Sequence, residues 1–356
     1  MKNTVVISAI ILFSSCADAG MVFNNDGNKI DFYGSVRGRH YFSDKSSQDG
    51  DFTYVRFGFK GQTKINDAIT GYGQWEYQAQ ANNAESTGSS SDKTRLGFVG
   101  LNFNHWGTID YGRTYGVFYD LSSITDYAPI YDVLSDSFVD GFLTGRGNNM
   151  LTYRNKHFFG LTDKLIFALQ YQGANGEGEN NSGRSVYSSN GDGYGASIEW
   201  DATDDLALIG AWTDSARTSR QNALALGEGK HAQIWGVGFK YSPGKYYLAT
   251  KYSQGLNITP ISGYGYANKT KNYEIYTQYT FTNGFVPSLG YFYSKGEDLE
   301  SYGDRVLLKY IDASLRYYFN KNMSVYGDYR INLLDKKTPF NILTDDTFGL
   351  GITYQF

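Results

Sequence analysis

Most of the chain alternates apolar and polar residues with a period of two. In residues 273–281, for example, Tyr273 and Ile275 alternate with Glu274 and Gln278. Successive residues of a β-strand point to opposite faces, so the pattern predicts strands with one apolar and one polar face. A transmembrane helix needs roughly 18 consecutive apolar residues, and no such run follows residue 13. Two architectures remain, a soluble sandwich with its apolar faces inward and a membrane barrel with them outward.

The connections between the predicted strands alternate between short and long ones. The short ones are rich in Asn, Gly, Pro and Asp, which favour turns. They are 66–68, 104–107, 162–164, 201–205, 242–245, 282–284 and 320–322. The long ones are 43–51, 82–92, a stretch around Asp126, 174–192, 215–229, 255–269, 296–304 and 335–346. Eight long loops, seven short turns and one closing junction predict 16 strands.

The segregation of loop lengths distinguishes the two architectures. Short turns at one rim and long loops at the other are typical of an outer-membrane barrel, whereas a sandwich has no reason to separate them. The sequence therefore predicts an all-β fold, a 16-stranded antiparallel transmembrane β-barrel with short periplasmic turns and long extracellular loops. An aromatic content of 17% fits the aromatic girdles of such a barrel. The tryptophans predicted for girdle or strand positions are Trp75, Trp106, Trp200, Trp212 and Trp235.

The first 19 residues predict a secretory signal peptide. Lys2 supplies a positive charge, residues 5–13 are mostly apolar, and Ala17-Asp18-Ala19 gives a cleavage site before Gly20. The single cysteine, Cys16, lies in this segment. A lipoprotein signal is the alternative, although the residues before Cys16 fit a lipidation motif poorly.

Catalytic and metal-binding patterns do not emerge from the mature chain, residues 20–356. It has no cysteine, and His40, His105, His157 and His231 are scattered without HExxH or His-x-His spacing. No GxSxG motif accompanies them. The formal net charge of −4 gives no reason to expect nucleic acid as a partner. The mature chain is therefore predicted to be a single barrel domain that is not an enzyme and is exported to the outer membrane of a Gram-negative bacterium.

The third long connection departs most from the strand pattern. It runs over residues 111–147 and is too rich in Asp, Tyr and Gly for a core helix. Asp126 and Asp132 lie in it between Arg113 and Arg146. A long loop without secondary structure of its own is usually functional in a compact domain. We predict that this loop folds into the bore of the barrel and determines what can pass.

Eight sequence blocks resemble the general diffusion porins of Gram-negative bacteria, the OmpC and OmpF kind. They are DGNKIDFYG, FTYVRFGFKGQTKI, TGYGQWEYQ, DYGRTYGVFYD, TYRNKHFFGL, FALQYQG, YYFNKNMSVYGDY and the terminal YQF. The blocks occur in order through the whole chain, and the differences are concentrated in the long loops. The resemblance implies a homotrimer of 16-stranded barrels with an inward third loop, passive diffusion of small hydrophilic solutes and ions, and no cofactor.

The resemblance also implies residues for a constriction. Arg56, Arg95 and Arg146 stand at positions of the family's basic wall cluster, and Asp126 stands at the first acid of the inward loop. Charged side chains around a narrow aperture screen permeants by charge. The residues predicted for the constriction are Arg37, Arg56, Arg95, Arg146, Asp126 and Asp132, with a constriction loop of about residues 114–147. The alternative is that the arginines only solvate a polar interior.

Two positions depart from the family pattern. Ser35 replaces the family's lysine, although Arg37 and Arg39 share its face. Ile130 replaces a glutamate of the inward loop. We therefore expect a constriction that favours cations less than that of a typical relative. The acids that would offset the loss by reaching the aperture are Asp120, Asp132 and Asp136.

The resemblance further implies contacts between subunits and with the membrane. Glu85 matches a second-loop residue that reaches over a neighbouring subunit, and Arg113 matches one of its partners; the alternative for Glu85 is an exposed acid. Small residues predicted on the outer face of early strands suit close packing, namely Gly34, Gly38, Gly58 and Gly97. The other expected partners are outer-membrane lipid, lipopolysaccharide and, through Phe356, the outer-membrane insertion machinery.

A second function remains open at this point, a channel selective for one class of solute such as a sugar or an anion. Sugar selectivity needs an aromatic track along the bore, and its candidates in the third loop are Tyr115, Tyr119, Tyr127 and Tyr131. An outer-membrane hydrolase or adhesin is the third reading, but an enzyme would need a catalytic cluster, which the sequence lacks.

Overall fold

A single antiparallel sheet that closes on itself makes up most of the protein. The computed structural model describes residues 20–87, 91–131, 133–176 and 184–356. The predicted signal peptide and Asp132 lie outside these described residues. Within the described ranges, no helix is long and apolar enough to span a membrane.

The barrel has sixteen long strands, as the alternation of turns and loops predicts. They are β1 Asn28–Phe42, β2 Tyr54–Lys64, β3 Thr70–Gln80, β4 Lys93–Asn102, β5 Thr108–Tyr115, β6 Arg146–Asn155, β7 Leu165–Gln172, β8 Gly193–Asp201, β9 Leu206–Ala216, β10 His231–Tyr241, β11 Tyr246–Leu256, β12 Lys269–Tyr279, β13 Phe285–Leu299, β14 Gly303–Asn320, β15 Met323–Asn332 and β16 Thr347–Gln355. Each strand pairs with the next one in the chain, and β16 pairs with β1 from Ser35 opposite Gln355 to Phe42 opposite Phe348. This ring leaves no free sheet edge, which confirms the predicted fold class.

Shorter elements lie in the connections and at the chain start. The short strands are Gly20–Asn25, Gly50–Asp51, Pro260–Ile261 and Gly265–Tyr266. The helical turns are α1 Tyr119–Ser122 and α2 Ser219–Asn222, and the 3-10 turns are Ser46–Gln48, Glu85–Thr87, Asn104–Trp106, Ser123–Thr125, Phe158–Gly160 and Val186–Ser188.

Both ends of the described chain meet at the seam where the barrel closes. The strand Gly20–Asn25 folds back on β1 and adds to the line of β16. Gly34 and Phe356 exchange two backbone hydrogen bonds, at 2.9 and 3.0 Å. A Cβ atom at Gly34 would lie 2.7 Å from the Phe356 ring, so the close approach of the terminal aromatic residue requires glycine there.

The sheet exposes its apolar face and buries its polar one. Val99 is 66% exposed and Leu169 53%, whereas Gln170 and Gln172 inside the barrel are 4% and 1% exposed. The predicted outer tryptophans are all exposed: Trp75, Trp106, Trp200, Trp212 and Trp235. A soluble sandwich would show the opposite arrangement, so the apolar exterior identifies a surface that faces lipid.

One predicted loop is wrong. The stretch 296–304 was expected to be a long loop because it is polar, but Leu299 pairs directly with Gly303 and the strands continue to that point. Lys295 forms ion pairs with Glu297 at 3.4 Å and with Asp304 at 2.7 Å. The charged residues are therefore neutralised within the strand ladder, and β13 and β14 extend to a short turn.

Candidate constriction site

The connection between β5 and β6 folds into the bore, as the sequence predicts. Its two limbs pair at the base, where the Gly116 amide donates to the Gly145 carbonyl at 2.8 Å and the Phe118 amide to the Leu143 carbonyl at 3.2 Å. Between them, the loop contains α1 and the 3-10 turn Ser123–Thr125. A loop inside a barrel can persist only if its polar backbone groups find partners.

Side chains of the barrel wall supply many of those partners. The Val117 amide donates to Gln170 of β7 at 2.7 Å. The hydroxyls of Tyr247 on β11 and Tyr310 on β14 donate to the carbonyls of Ile124 and Val133, at 2.8 and 2.7 Å. The wall therefore fixes the loop from several strands at once.

The tip of the loop is bound to the opposite part of the wall. Arg39 of β1 donates to the Pro129 carbonyl at 2.9 Å. A carboxylate oxygen of Asp328 on β15 accepts from the amides of Ile130 and Tyr131, at 2.9 and 3.4 Å. Arg39 thus holds the loop tip in position and also contributes a positive charge to the wall.

A buried charged cluster holds the descending limb of the loop. Lys251 of β11 lies between Asp136 of the loop and Glu274 of β12, in ion-pair contact with both. Its side chain is 1% exposed, and both carboxylates are 0% exposed. Glu274 also accepts from the amide and hydroxyl of Ser135, each at 2.6 Å. Asp136 is therefore committed to Lys251 and does not supply the aperture with a free acid.

Two other acids of the loop are paired in the same way. Asp120 bonds with Arg154 of β6 at 2.9 Å. Asp140 bonds with Arg113 of β5 at 2.8 Å. Neither residue replaces the acid that the resemblance places at Ile130.

The four predicted wall arginines lie on one side of the barrel, on β1, β2, β4 and β6. Arg37 donates to the hydroxyl of Ser35 at 3.3 Å, and Arg56 donates to Gln78 at 2.8 Å. Arg95 forms an ion pair with Glu76 at 2.6 Å. Among the described residues, Arg37, Arg56 and Arg146 form no ion pair, so their positive charges are left to act on the bore.

Tyr54 links three of the arginines and was not singled out from the sequence. The guanidinium carbons of Arg37, Arg39 and Arg56 lie 5.8, 5.1 and 5.3 Å from the centre of its ring. Cations are attracted to the face of an aromatic ring, so one buried tyrosine holds like charges together. Tyr54 lies two residues before Arg56 in the same strand. The period of two therefore indicates that both side chains lie on the inner face.

Two stacked tyrosines connect Asp126 to the basic wall. The hydroxyl of Tyr119 donates to Asp126. Tyr119 stacks on Tyr115 with ring centres 4.4 Å apart. The hydroxyl of Tyr115 in turn accepts from Arg95 at 3.5 Å and from Arg146 at 3.4 Å. These contacts bring together Asp126, Arg95 and Arg146 of the predicted set, while Asp132 lies outside the described residues.

The four tyrosines considered for a sugar track do not form one continuous row. Tyr127 packs on Tyr247 with ring centres 4.8 Å apart, and Tyr131 packs against Tyr41 at 5.7 Å. Tyr115 and Tyr119 instead contact each other. Two of the four therefore fasten the loop to the wall.

The residues predicted for subunit contacts have the following surroundings. Glu85 begins an exposed 3-10 turn on the second long loop. Arg113 bonds to Asp140 and to the Thr94 carbonyl of its own chain. Gly58 was expected on the outer face, but a Cβ atom there would lie 2.8 Å from the hydroxyl of Tyr33 inside the barrel. That expectation is wrong, because Gly58 shares the parity of Arg56 and faces the bore.

Comparisons with known proteins show which family has this architecture. Residues 25–356 match a family described as Gram-negative porin. The chain is 49% identical to outer membrane porin C of Enterobacter cloacae subsp. cloacae over 97% of each chain. It is 48% identical to outer membrane porin PhoE of Escherichia coli, covering 100% of this chain and 99% of that one. The structure of Salmonella typhi OmpF in complex with daunomycin superposes with a TM-score of 0.85 at 40% identity, over 94% of this chain and 99% of that chain.

We predict that Lys251→Met weakens the attachment of the loop. The substitution leaves Asp136 and Glu274 buried without their cation, and removal of one partner from a buried ion pair typically costs about 3–5 kcal/mol. We expect the temperature of barrel unfolding, measured by the heat-dependent mobility shift on SDS gels, to fall. Lys271→Met is the control, since it removes a surface ion pair with Glu297, and such pairs contribute little. Equal unfolding temperatures for Lys251→Met and the parent would contradict the prediction.

Proposed function

The chain belongs to the Gram-negative porin family, and on this premise we propose that its inward loop and arginine wall form the charge-screening constriction of the channel. The protein is an outer-membrane porin that forms water-filled channels for the passive diffusion of small hydrophilic solutes and ions. No catalytic role is proposed for it. The proposed constriction residues are Arg37, Arg56, Arg95, Arg146, Asp126 and Asp132.

The observation that supports this constriction is an imbalance of charge between the two sides of the bore. The loop acids Asp120, Asp136 and Asp140 are each paired with a basic side chain. On the facing wall, Arg37 and Arg56 bond only to neutral groups in the described structure. An uncompensated row of guanidinium groups in a narrow aperture produces a field directed across the bore. Arginine suits this role because it stays charged in any environment.

An anion-selective channel is the second candidate function. It is favoured by the three guanidinium groups around Tyr54, which present several hydrogen-bond donors to a passing oxyanion. A sugar-selective channel has less support, because Tyr127 and Tyr131 are engaged in fastening the loop.

Liposome swelling with sugars of graded size tests the general diffusion channel. A passive aqueous pore is expected to give rates that decline smoothly with solute size and do not saturate with concentration. Liposomes that contain the heat-denatured protein are the control for leakage. Saturation by one sugar, with competition by its analogues, would contradict general diffusion and indicate a binding site.

The reversal potential in a KCl gradient across a planar bilayer tests the proposed charge balance. We expect the parent channel to show at most weak cation preference, because one loop acid is replaced by Ile130 and others are paired. Arg37→Gln is expected to shift the reversal potential towards cations, since it removes a guanidinium group that has no acidic partner among the described residues. Arg305→Gln at the exposed extracellular rim is the matched control. Strong cation selectivity of the parent channel would refute the proposed balance.

Assembly into a homotrimer in the outer membrane is part of the proposal. Support comes from the family and from small residues on the outer face of the early strands, Gly34, Gly38 and Gly97. Glu85, on its exposed turn, is the proposed contact to a neighbouring subunit near Arg113. The proposed partners of the outer surface are membrane lipid and lipopolysaccharide, and Phe356 is proposed to be read by the insertion machinery.

Unheated SDS gels test the proposed assembly contacts. Glu85→Ala is expected to lower the temperature at which trimer bands dissociate, because it removes an acidic contact between subunits, while Glu228→Ala in another exposed loop is the control. Deletion of Phe356 is expected to reduce the yield of folded barrel on the same gels. Parent-like trimer bands in Glu85→Ala would leave it an ordinary surface acid, and parent-like yield without Phe356 would remove its proposed role.

A further inference from the structure

The inward loop carries apolar side chains that are buried against the barrel wall. Val117 and Leu121 are 0% exposed, Ile124 is 5% exposed and Ile130 is 4% exposed. The wall beneath the loop is apolar as well, since Ile209 and Ile234 are 3% and 1% exposed and pack in one cluster with Leu121 and Ile124. The loop is therefore held by close packing as well as by hydrogen bonds and ion pairs.

The wall opposite these side chains includes several glycines that face the bore. A Cβ atom at Gly195 of β8 would lie 2.6 Å from Val117, and one at Gly236 of β10 would lie 2.6 Å from Leu121. Carbon atoms in favourable contact are about 3.5–4.0 Å apart, so a larger residue at either position would have to displace the side chain of the loop. The wall limits the space as well, because Thr213 lies 2.9 Å from the Cβ position of Gly195 and Ser253 lies 2.9 Å from that of Gly236.

Two further glycines repeat the arrangement with isoleucine side chains. A Cβ atom at Gly238 of β10 would lie 2.8 Å from Cδ1 of Ile124. A Cβ atom at Gly349 of β16 would lie closer still to Cδ1 of Ile130. We call Gly195, Gly236, Gly238 and Gly349 the loop-contact glycines. Small side chains of the wall belong to the buried cluster that contains Leu121 and Ile124, among them Ala207, Ala211, Ala232 and Ala249.

We infer that the loop-contact glycines set how far the inward loop lies from the wall, and thereby set the width of the channel and its limit of solute size. The inference rests on the proposed channel and deepens it. It assigns the size limit to residues that face no permeant directly. They act by positioning the loop, whose exposed side then forms the aperture with the arginine wall.

The order of strands gives the direction of the effect. β10 is eight strands away from β2 in a closed ring of sixteen, so Gly236 and Gly238 lie across the bore from Arg56. A side chain added on β10 would push the loop towards the arginines and narrow the aperture. A side chain added at Gly349 would push the loop tip off β16 and into the bore.

The contact at Gly349 also explains why the loop can lack an acid at Ile130. Ile130 packs with Tyr41, Tyr131 and Tyr326, and its amide bonds to Asp328. A carboxylate in the same place would have to lose its water among these aromatic rings. With Ile130, the aperture lacks the charge that an acid would supply, and the buried apolar side chain instead fixes the position of the loop tip.

Single-channel conductance of a matched pair of variants tests the inference. Gly349→Ala adds one methyl group beneath the loop tip, and Ile130→Val removes the Cδ1 atom that this methyl group would meet. The next neighbours of the new Cβ atom, in Tyr131 and Tyr41, lie 3.2 and 3.3 Å away. The double variant therefore keeps the total side-chain volume at this contact nearly unchanged.

We expect Gly349→Ala to lower the conductance by roughly a tenth or more and to slow larger sugars more than small ones in liposome swelling. The double variant Gly349→Ala/Ile130→Val is expected to restore both values. Gly210→Ala is the control, because Gly210 lies on β9 with its nearest neighbour, Ile198, 3.6 Å from the added Cβ position. Heat-dependent mobility on gels confirms that each variant forms a folded barrel before its conductance is compared.

Several results would overturn the inference. Parent-like conductance of folded Gly349→Ala would show that the glycine does not set the loop position, and higher conductance would show that the loop moves away from the arginines. If the conductance of the double variant is as low as that of Gly349→Ala, the effect does not depend on the contact with Ile130. Absence of conductance in the parent protein would instead refute the proposed channel, so the two failures are distinguishable.

Discussion

The structure depends on one constraint, the need of every backbone amide and carbonyl in a lipid layer to find a partner within the protein. A sheet satisfies this need only when its first and last strands meet. Here β16 meets β1, and the two bonds between Gly34 and Phe356 complete the ladder at the periplasmic end. Once the ring is closed, the side chains divide into an apolar outer face and a polar inner face. The water-filled bore is a direct result of that division.

The same constraint applies a second time to the loop inside the bore. Its backbone bonds with Gln170, Tyr247, Tyr310 and Asp328 of the wall. Three of its acids, Asp120, Asp136 and Asp140, form ion pairs with basic side chains of the wall. The wall thus holds the loop through the kinds of contact by which a protein binds a ligand. One outcome is an asymmetric distribution of charge, since these three acids of the loop are used for attachment, whereas Arg37, Arg56 and Arg146 form no ion pair among the described residues.

Much of the fold could be predicted from the sequence, because a period of two and the length of the connections are local signals. The failures came from contacts that the local pattern does not indicate. The polar stretch 296–304 resembles a loop until Lys295 and Asp304 are seen to pair across strands. The partner of Asp136 is Lys251, far along the chain, and nothing in the pattern near either residue indicates the other. For the proposed constriction, the sequence indicates charged side chains such as Arg56 and Asp126, and their role stays a prediction. The side chains that fix the loop, such as Arg39, were not assigned that role.

The sequence distance between the loop and its attachment points has a consequence for the order of folding. Ile130 is held by Asp328, 198 residues later, and Val133 is held by Tyr310, 177 residues later. Contacts between residues so far apart form slowly, because the intervening chain must first be ordered. The aperture therefore comes into being only when the last strands have joined the first. A partly assembled barrel would have a wall but no defined opening, so correct permeability is itself a property of completed closure.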